Sequence, residues 1–281
     1  MSFDTPLRYP GGKGRLAIWL RDVLRANDLT RGTYIEPYAG GAGAAISLLV
    51  NRHVDRIHIN DIDPAIYLFW KSVVERPREL ASLVRNAEIS VDTRQAAKNI
   101  IRNPSNYDET TIAFSTLLLN RTSRSGILSG GPIGGTLQKG KYKIDARFNR
   151  EAIALRIEKI ASLRKKITVT NEDAKHLIEY TGRQRRKTII YCDPPYFIKG
   201  YQLYRNHYQQ ADHENFAAIV KSLKCPWIVT YDDHPEIERI YQPFTPTKFN
   251  LFYSTHLSRE KSSELLFHGN IRIPTPPFLH R

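Results

Sequence analysis

The stretch from Thr33 to Val74 reads as strand, small-residue turn, helix, strand, helix, and this order narrows the possible folds more than any other feature of the chain. Thr33-Tyr34-Ile35 is a short strand-like run ended by Glu36-Pro37, and Ala39-Gly40-Gly41-Ala42-Gly43 supplies a turn before an apolar helix over Ala44 to Val50. A second strand, Arg56 to Asn60, ends in Asp61, and another apolar helix runs from about Pro64 to Val74. Alternation of this kind calls for a parallel sheet with helices packed on it. Upstream, Leu16, Trp19, Leu20, Val23 and Leu24 mark an amphipathic helix that begins just after Gly11, Gly12 and Gly14.

From about Glu75 to Leu163 the pattern changes to charged, helix-like stretches broken by Gly126, Gly130-Gly131, Gly134-Gly135 and Gly140. That is too long for a connection inside a compact α/β core. The expected organisation is a discontinuous α/β domain over 1–74 and 164–281 with an inserted, mainly helical domain over 75–163. Strands resume at Ile167 to Thr170 and Thr188 to Cys192, and Phe216, Ile219, Val220 and Leu223 give a helical stripe. Strand Trp227 to Tyr231, helix Pro235 to Tyr241 and strands Thr247 to Tyr253 and Glu264 to Phe267 complete the domain, with no internal repeat.

Charge says what kind of partner such a domain meets. The 42 Lys and Arg against 28 Asp and Glu leave a net +14, which suits nucleic acid or an anionic membrane surface. Met1 to Pro6 lacks the basic stretch and apolar run of a signal peptide, and no apolar run approaches the ~18 residues of a membrane span, so a soluble, cytoplasmic protein is expected. Cys192 and Cys225 lie in apolar strand-like runs without ligand-spaced neighbours, which predicts reduced core thiols and no metal.

Two features carry chemistry. A glycine turn lets the backbone approach a nucleotide-like ligand, and Asp61 at the next strand end can accept both hydroxyl hydrogens of a ribose. Neither this turn nor Gly11-Gly12-Lys13-Gly14 has dinucleotide or Walker A spacing, which argues against hydride transfer and ATP hydrolysis. Asp193-Pro194-Pro195-Tyr196 follows a strand and so sits at the carboxyl edge of the sheet, where α/β proteins bind ligands. The exocyclic amine of adenine is a weak nucleophile because its lone pair is delocalised into the ring. Hydrogen bonds from its N–H groups to the Asp193 carboxylate and the Pro194 carbonyl would restore electron density for in-line attack on a sulfonium methyl. The prolines remove two backbone donors and hold φ near −65°. Tyr196 offers a stacking face for a base extruded from its duplex.

With Arg8-Tyr9-Pro10-Gly11-Gly12-Lys13 and Glu36-Pro37-Tyr38-Ala39-Gly40-Gly41 preceding Asp193-Pro194-Pro195-Tyr196, the chain resembles the Dam-type DNA adenine methylases over nearly its whole length. The resemblance implies an α/β, Rossmann-like S-adenosylmethionine-dependent methyltransferase sheet in which the 75–163 insert recognises the target. It places the cofactor, S-adenosyl-L-methionine, on Tyr9 and Lys13 at the methionine end. The turn residues Glu36, Pro37, Tyr38, Gly40 and Gly43 follow, with Asp61 and Ile62 at the ribose strand end, Asp173 and Ala174 at the adenine, and Asp193. The catalytic residues are Asp193, Pro194, Pro195 and Tyr196. Ala42 stands where the family's turn has a third glycine, flanked here by Gly41 and Gly43.

Leu119-Asn120-Arg121-Thr122-Ser123 resembles the family's first DNA-contacting segment, which implies DNA binding by Asn120, Arg121, Ser123 and Arg124. Arg121 and Arg124 have the fork geometry to bind guanine, and Lys139, Lys141 and Lys143 can meet phosphates, a solvated face being the alternative for these lysines. Arg124-Ser125-Gly126 and Tyr142-Lys143-Ile144-Asp145 depart from the family's recognition segments, so a target other than the usual GATC is expected. The segment from Phe197 to Tyr208, rich in tyrosines and cations, suits closure over an extruded base, with no catalytic role for His207. The basic run Arg183 to Lys187 precedes the catalytic strand and so belongs to the opposite edge.

The expected activity is site-specific methyl transfer to N6 of an adenine in double-stranded DNA, with no membrane and no obligatory protein partner. The same chemistry on cytosine N4 or on an RNA adenine, and a non-catalytic DNA-binding regulator, are the alternatives.

Overall fold

In the computed structural model, which describes residues 5–9, 13–183, 187–197, 208–254 and 259–277, the strands form a seven-stranded sheet in the order β3-β2-β1-β4-β5-β7-β6. These are β1 (Thr33–Glu36), β2 (Arg56–Asn60), β3 (Ile167–Thr170), β4 (Thr188–Cys192), β5 (Trp227–Asp232), β6 (Thr247–Ser254) and β7 (Arg259–Gly269). Strands β1 to β5 pair in parallel, and β7 lies antiparallel between β5 and β6. The order reverses between β1 and β4, which are direct neighbours. Their carboxyl ends, Glu36 and Cys192, therefore open side by side into the crevice where such sheets take ligands.

Side chains alternate across the sheet with the period of a strand. Tyr34, Ile189, Tyr191 and Ile228 join one buried cluster, with α1 (Ala17–Ala26), α2 (Gly43–Val50) and α3 (Pro64–Glu75). Ile35, Ile190, Cys192 and Val229 join the other, with α8 (Ala174–Thr181), α9 (Gln210–Ser222) and α10 (Pro235–Ile240). Both cysteines are buried and unbonded, and burial raises the Cys225 thiol to about 11.

Residues 75–163 contribute α4 (Pro77–Arg85), α5 (Val91–Arg102), α6 (Glu109–Thr122) and α7 (Arg150–Ala161). Their apolar side chains, among them Leu80, Val84, Leu117, Ile153 and Ile157, continue the core around Phe69, Trp70 and Val73 of α3. The helices of 75–163 thus share one interior with α3 and the sheet. Between α6 and α7 the chain is a compact loop rather than an open connection. Gln138 Nε2 donates to the Ile133 carbonyl (2.9 Å), its Oε1 accepts from the Ile144 amide (2.8 Å), and Ser123 bridges to Pro132.

Candidate active site

The glycine turn at the end of β1 is shaped from three sides. Gly40 adopts φ +45°, and a Cβ there would stand 2.6 Å from the Tyr9 ring, so only glycine admits the tyrosine lying over it. Ala42, the departure from the family pattern, takes the left-handed conformation (φ 45°) at the start of α2. A Cβ on Gly43 would press on the Gly14 backbone at 3.1 Å. From behind, Trp70 Nε1 donates to the Gly40 carbonyl (2.9 Å), and Thr5 Oγ1 donates to that of Gly41 (2.5 Å). Glu36 is buried, and its Oε2 accepts the Ala45 amide at the amino end of α2 (3.1 Å), so it braces the turn from within. Pro37 is buried as well, and the Tyr38 hydroxyl meets that of Tyr208 at 2.8 Å.

Asp61 stands at the end of β2 with Oδ2 accepting the Gly40 amide (2.8 Å) and Oδ1 the Asp63 amide (2.9 Å). Burial pushes its carboxyl up to about 7, while the two amides hold it back. Ile62 beside it is 47 % exposed, an apolar face at an otherwise polar strand end. Asn60 ties three strand ends together: Nδ2 donates to the carbonyls of Pro37 and Glu172 (3.0 Å each), and Oδ1 accepts from the Glu172 amide (2.9 Å) and Thr170 Oγ1 (2.8 Å). Asp173 caps α8 through the Lys175 amide (2.7 Å), with Ala174 buried behind it. The turn, Asp61, Ile62 and the 172–174 segment thus line one crevice edge. Lys13 begins a short 3-10 helix, and its side chain lies outside the described residues, as do residues 10–12.

Across the switch point, Asp193 Oδ1 accepts a hydrogen bond from Thr230 Oγ1 (2.8 Å), which leaves the Tyr191 hydroxyl to donate to Thr230 (3.0 Å). Pro194 and Pro195 are buried. Asp232, at the end of β5, accepts the Phe197 amide (2.8 Å) and so fixes where the chain leaves the motif. Tyr196 is 7 % exposed and its hydroxyl donates to the fully buried Glu264 of β7 (2.6 Å), so the tyrosine is anchored to the sheet with little of its surface open. Residues 198–207, including His207, and residues 184–186 of the basic run lie outside the described residues.

Three of the expected DNA contacts face the interior. Asn120 and Ser123 have no exposed surface and Arg121 has 8 %, and all three bond within the protein. Asn120 bonds Arg8, Arg121 bonds the Pro6 carbonyl, and Ser123 accepts from Arg94. Sequence alone cannot tell a polar residue that reads a duplex from one that satisfies buried backbone. Arg124, Lys139, Lys141 and Lys143, by contrast, are exposed.

Trp70, Thr230 and Glu264 join the site without having been expected there. Thr230 carries a visible signal, a polar side chain within an apolar strand; Trp70, on the apolar face of a helix, and Glu264, beside the polar half of its strand, carry none.

A model of the D12 class N6 adenine-specific DNA methyltransferase family matches residues 9–256. The chain belongs to that family. This D12 class enzyme is an adenine-specific DNA methyltransferase, and its methyl donor is S-adenosylmethionine. No curated protein matches the chain. Solved structures similar to this D12 chain include PH1948 from Pyrococcus horikoshii, assigned as an RNA methyltransferase, at 11 % identity and TM-score 0.43 over 93 % of this chain and 84 % of that one. TrmN from Thermus thermophilus matches at 11 % identity and TM-score 0.39, over 89 % of this chain and 48 % of that one. An S-adenosylmethionine-dependent methyltransferase from Agrobacterium tumefaciens matches at 11 % identity and TM-score 0.38, over 90 % and 59 %. Among the described residues, no helix is long and apolar enough to cross a membrane.

Proposed function

We propose that the enzyme methylates N6 of an adenine extruded from double-stranded DNA at a specific sequence, with donor and acceptor meeting where the ends of β1 and β4 adjoin. The observation that carries this reading is the Thr230–Asp193 hydrogen bond, which orients an acceptor carboxylate beside a glycine turn already cradled by Tyr9. The residues fit the cofactor: a turn in which only glycine fits at position 40, a carboxylate at the ribose position, and exposed Ile62 to cover a planar base. Tyr9, Lys13, Tyr38, Gly40 and Gly43 take its methionine part, Asp61 its ribose, and Ile62, Asp173 and Ala174 its adenine, with Glu36 and Pro37 shaping the turn.

When bound, S-adenosylmethionine supplies a methyl group on a positively charged sulfur. Asp193 and the Pro194 carbonyl accept the two N–H groups of the target amine, raise electron density on its nitrogen and aim its lone pair at the methyl. The nitrogen becomes cationic on transfer and then sheds a proton, so no strong base is needed beforehand. Arg124, Lys139, Lys141 and Lys143 hold the duplex, their charges suited to phosphates.

Incubating the protein with a randomised duplex and methyl-labelled cofactor, then sequencing the labelled fragments, gives both activity and target. Incorporation at N6 of adenine within a fixed sequence supports the reading. Equal incorporation by Asp193→Ala, or transfer only to cytosine N4 or to RNA, overturns it.

A further inference from the structure

The carboxyl end of α6 holds the loop that covers the glycine turn. The Asn120 amide makes three hydrogen bonds there: Oδ1 accepts the Arg8 amide (2.7 Å), and Nδ2 donates to the carbonyls of Arg8 (2.6 Å) and Gly126 (2.8 Å). A side-chain amide that pairs with both backbone groups of one residue acts as a neighbouring strand would. Arg121 adds a second attachment, its Nε donating to the Pro6 carbonyl at 2.6 Å. Gly126 approaches so closely that a Cβ on it would stand 2.3 Å from the Arg8 carbonyl oxygen. The residue after Arg8 is Tyr9, whose ring lies over Gly40 and Gly41. Thr5 at the other end of this loop donates to Gly41. Residues 5–9 therefore have one side on the insert and the other on the turn.

We propose that Asn120 is a positioning residue for the cofactor site: by clamping Arg8 it sets Tyr9 over the glycine turn, so that S-adenosylmethionine binding depends on the insert. The proposal rests on the reading that the cofactor lies at that turn. A loop held by a fully satisfied buried amide has its conformation fixed before the ligand arrives. Freeing it makes binding bear the ordering cost. The replacement of a base-reading role by a clamping one also accounts for why Asn120 has no surface open to a duplex.

The test is calorimetric titration of S-adenosylhomocysteine, which needs no turnover, with duplex affinity measured in parallel. Asn120→Ala is expected to weaken S-adenosylhomocysteine about tenfold, roughly 1.4 kcal/mol, with duplex affinity held. Asn120→Asp, equal in size but setting a carboxylate oxygen against two carbonyls, is expected to weaken it at least as much. Gly126→Ala disturbs the same carbonyl from the other side and reproduces the loss if the Asn120 variants do not fold. In a Tyr9→Ala background the effect of Asn120→Ala should vanish, because contacting residues that act through one another are not additive. Unchanged cofactor affinity in folded Asn120 or Gly126 variants, full additivity with Tyr9→Ala, or selective loss of duplex binding overturns the clamp. Tyr9→Ala leaving S-adenosylhomocysteine binding untouched would instead refute the placement of the cofactor.

Discussion

The hydroxyl of Tyr196 donates to Glu264 across 2.6 Å, joining the last residue of the Asp-Pro-Pro-Tyr motif to the middle of β7. Tyr196→Phe keeps the ring but takes a donor from a buried carboxylate, which costs about 1.5–3 kcal/mol for a hydrogen bond to a charged group. The expected result is a lower melting temperature with a smaller loss of kcat than Tyr196→Ala causes. Thermal unfolding and single-turnover methylation, measured together on both variants, check it.

Thr230 orients Asp193. Thr230→Val keeps the shape of the side chain and removes the hydroxyl between Tyr191 and Asp193. A misaimed acceptor group of this kind costs roughly ten- to hundredfold in rate. Methylation kinetics should show that fall in kcat with the KM for S-adenosylmethionine held; a shift confined to KM would contradict the orienting role.

With the ribose on Asp61 as proposed, cofactor binding is expected to depend on pH. Its carboxyl lies near 7 in the fold, against an unfolded value of about 3.9. The protonated form is therefore favoured by folding: this contribution to stability is complete below about pH 3.9 and is lost as pH rises through 7. Ribose hydroxyls need the carboxylate as acceptor, so binding should run the opposite way. S-adenosylhomocysteine affinity is expected to rise between about pH 6 and 8, and Asp61→Asn should bind weakly with a flat profile over that range when titrated calorimetrically.

Gly40→Ala tests the cradle itself. The new methyl group would meet the Tyr9 ring at 2.6 Å on a backbone of positive φ. Displacement of Tyr9 should weaken S-adenosylhomocysteine binding, and the double variant with Tyr9→Ala should bind as Tyr9→Ala alone does, since the ring is lost either way. Weaker binding by the double variant than by Tyr9→Ala would mean that backbone strain at position 40 contributes as well.

The exposed lysines of the insert answer to salt. Removing a cation that neutralises a phosphate lowers the slope of log affinity against log salt by about 0.9. Replacing Lys139, Lys141 and Lys143 with Gln should flatten the slope for a duplex in steps, without moving cofactor affinity. An unchanged slope assigns these side chains to solvent.

The strands and helices over 33–74 are legible in the sequence because that pattern is local: β2 matches at both ends, and α3 runs one residue further, to Glu75. The apolar pattern of β7 covers only Glu264 to Phe267, yet the strand runs Arg259–Gly269, since its polar first half is held by pairing with β6 rather than by its own composition. Asp61 and Asp193 are legible as chemistry at strand ends. The burial of Asn120 and Arg121 is not legible, because it depends on where a distant loop, residues 5–9, returns to α6.

The antiparallel β7 also makes the acceptor motif depend on a strand distant from it in the chain: the carboxylate beneath Tyr196 belongs to Glu264. The segment after β7 then returns to α1, where the Thr275 carbonyl accepts from Trp19 and the Arg272 amide donates to Asn27. The acceptor motif is thus supported only when β7 has paired with β5 and set Glu264 beneath Tyr196, so a variant that loosens β7 should lose methyl transfer before it loses its hold on the cofactor.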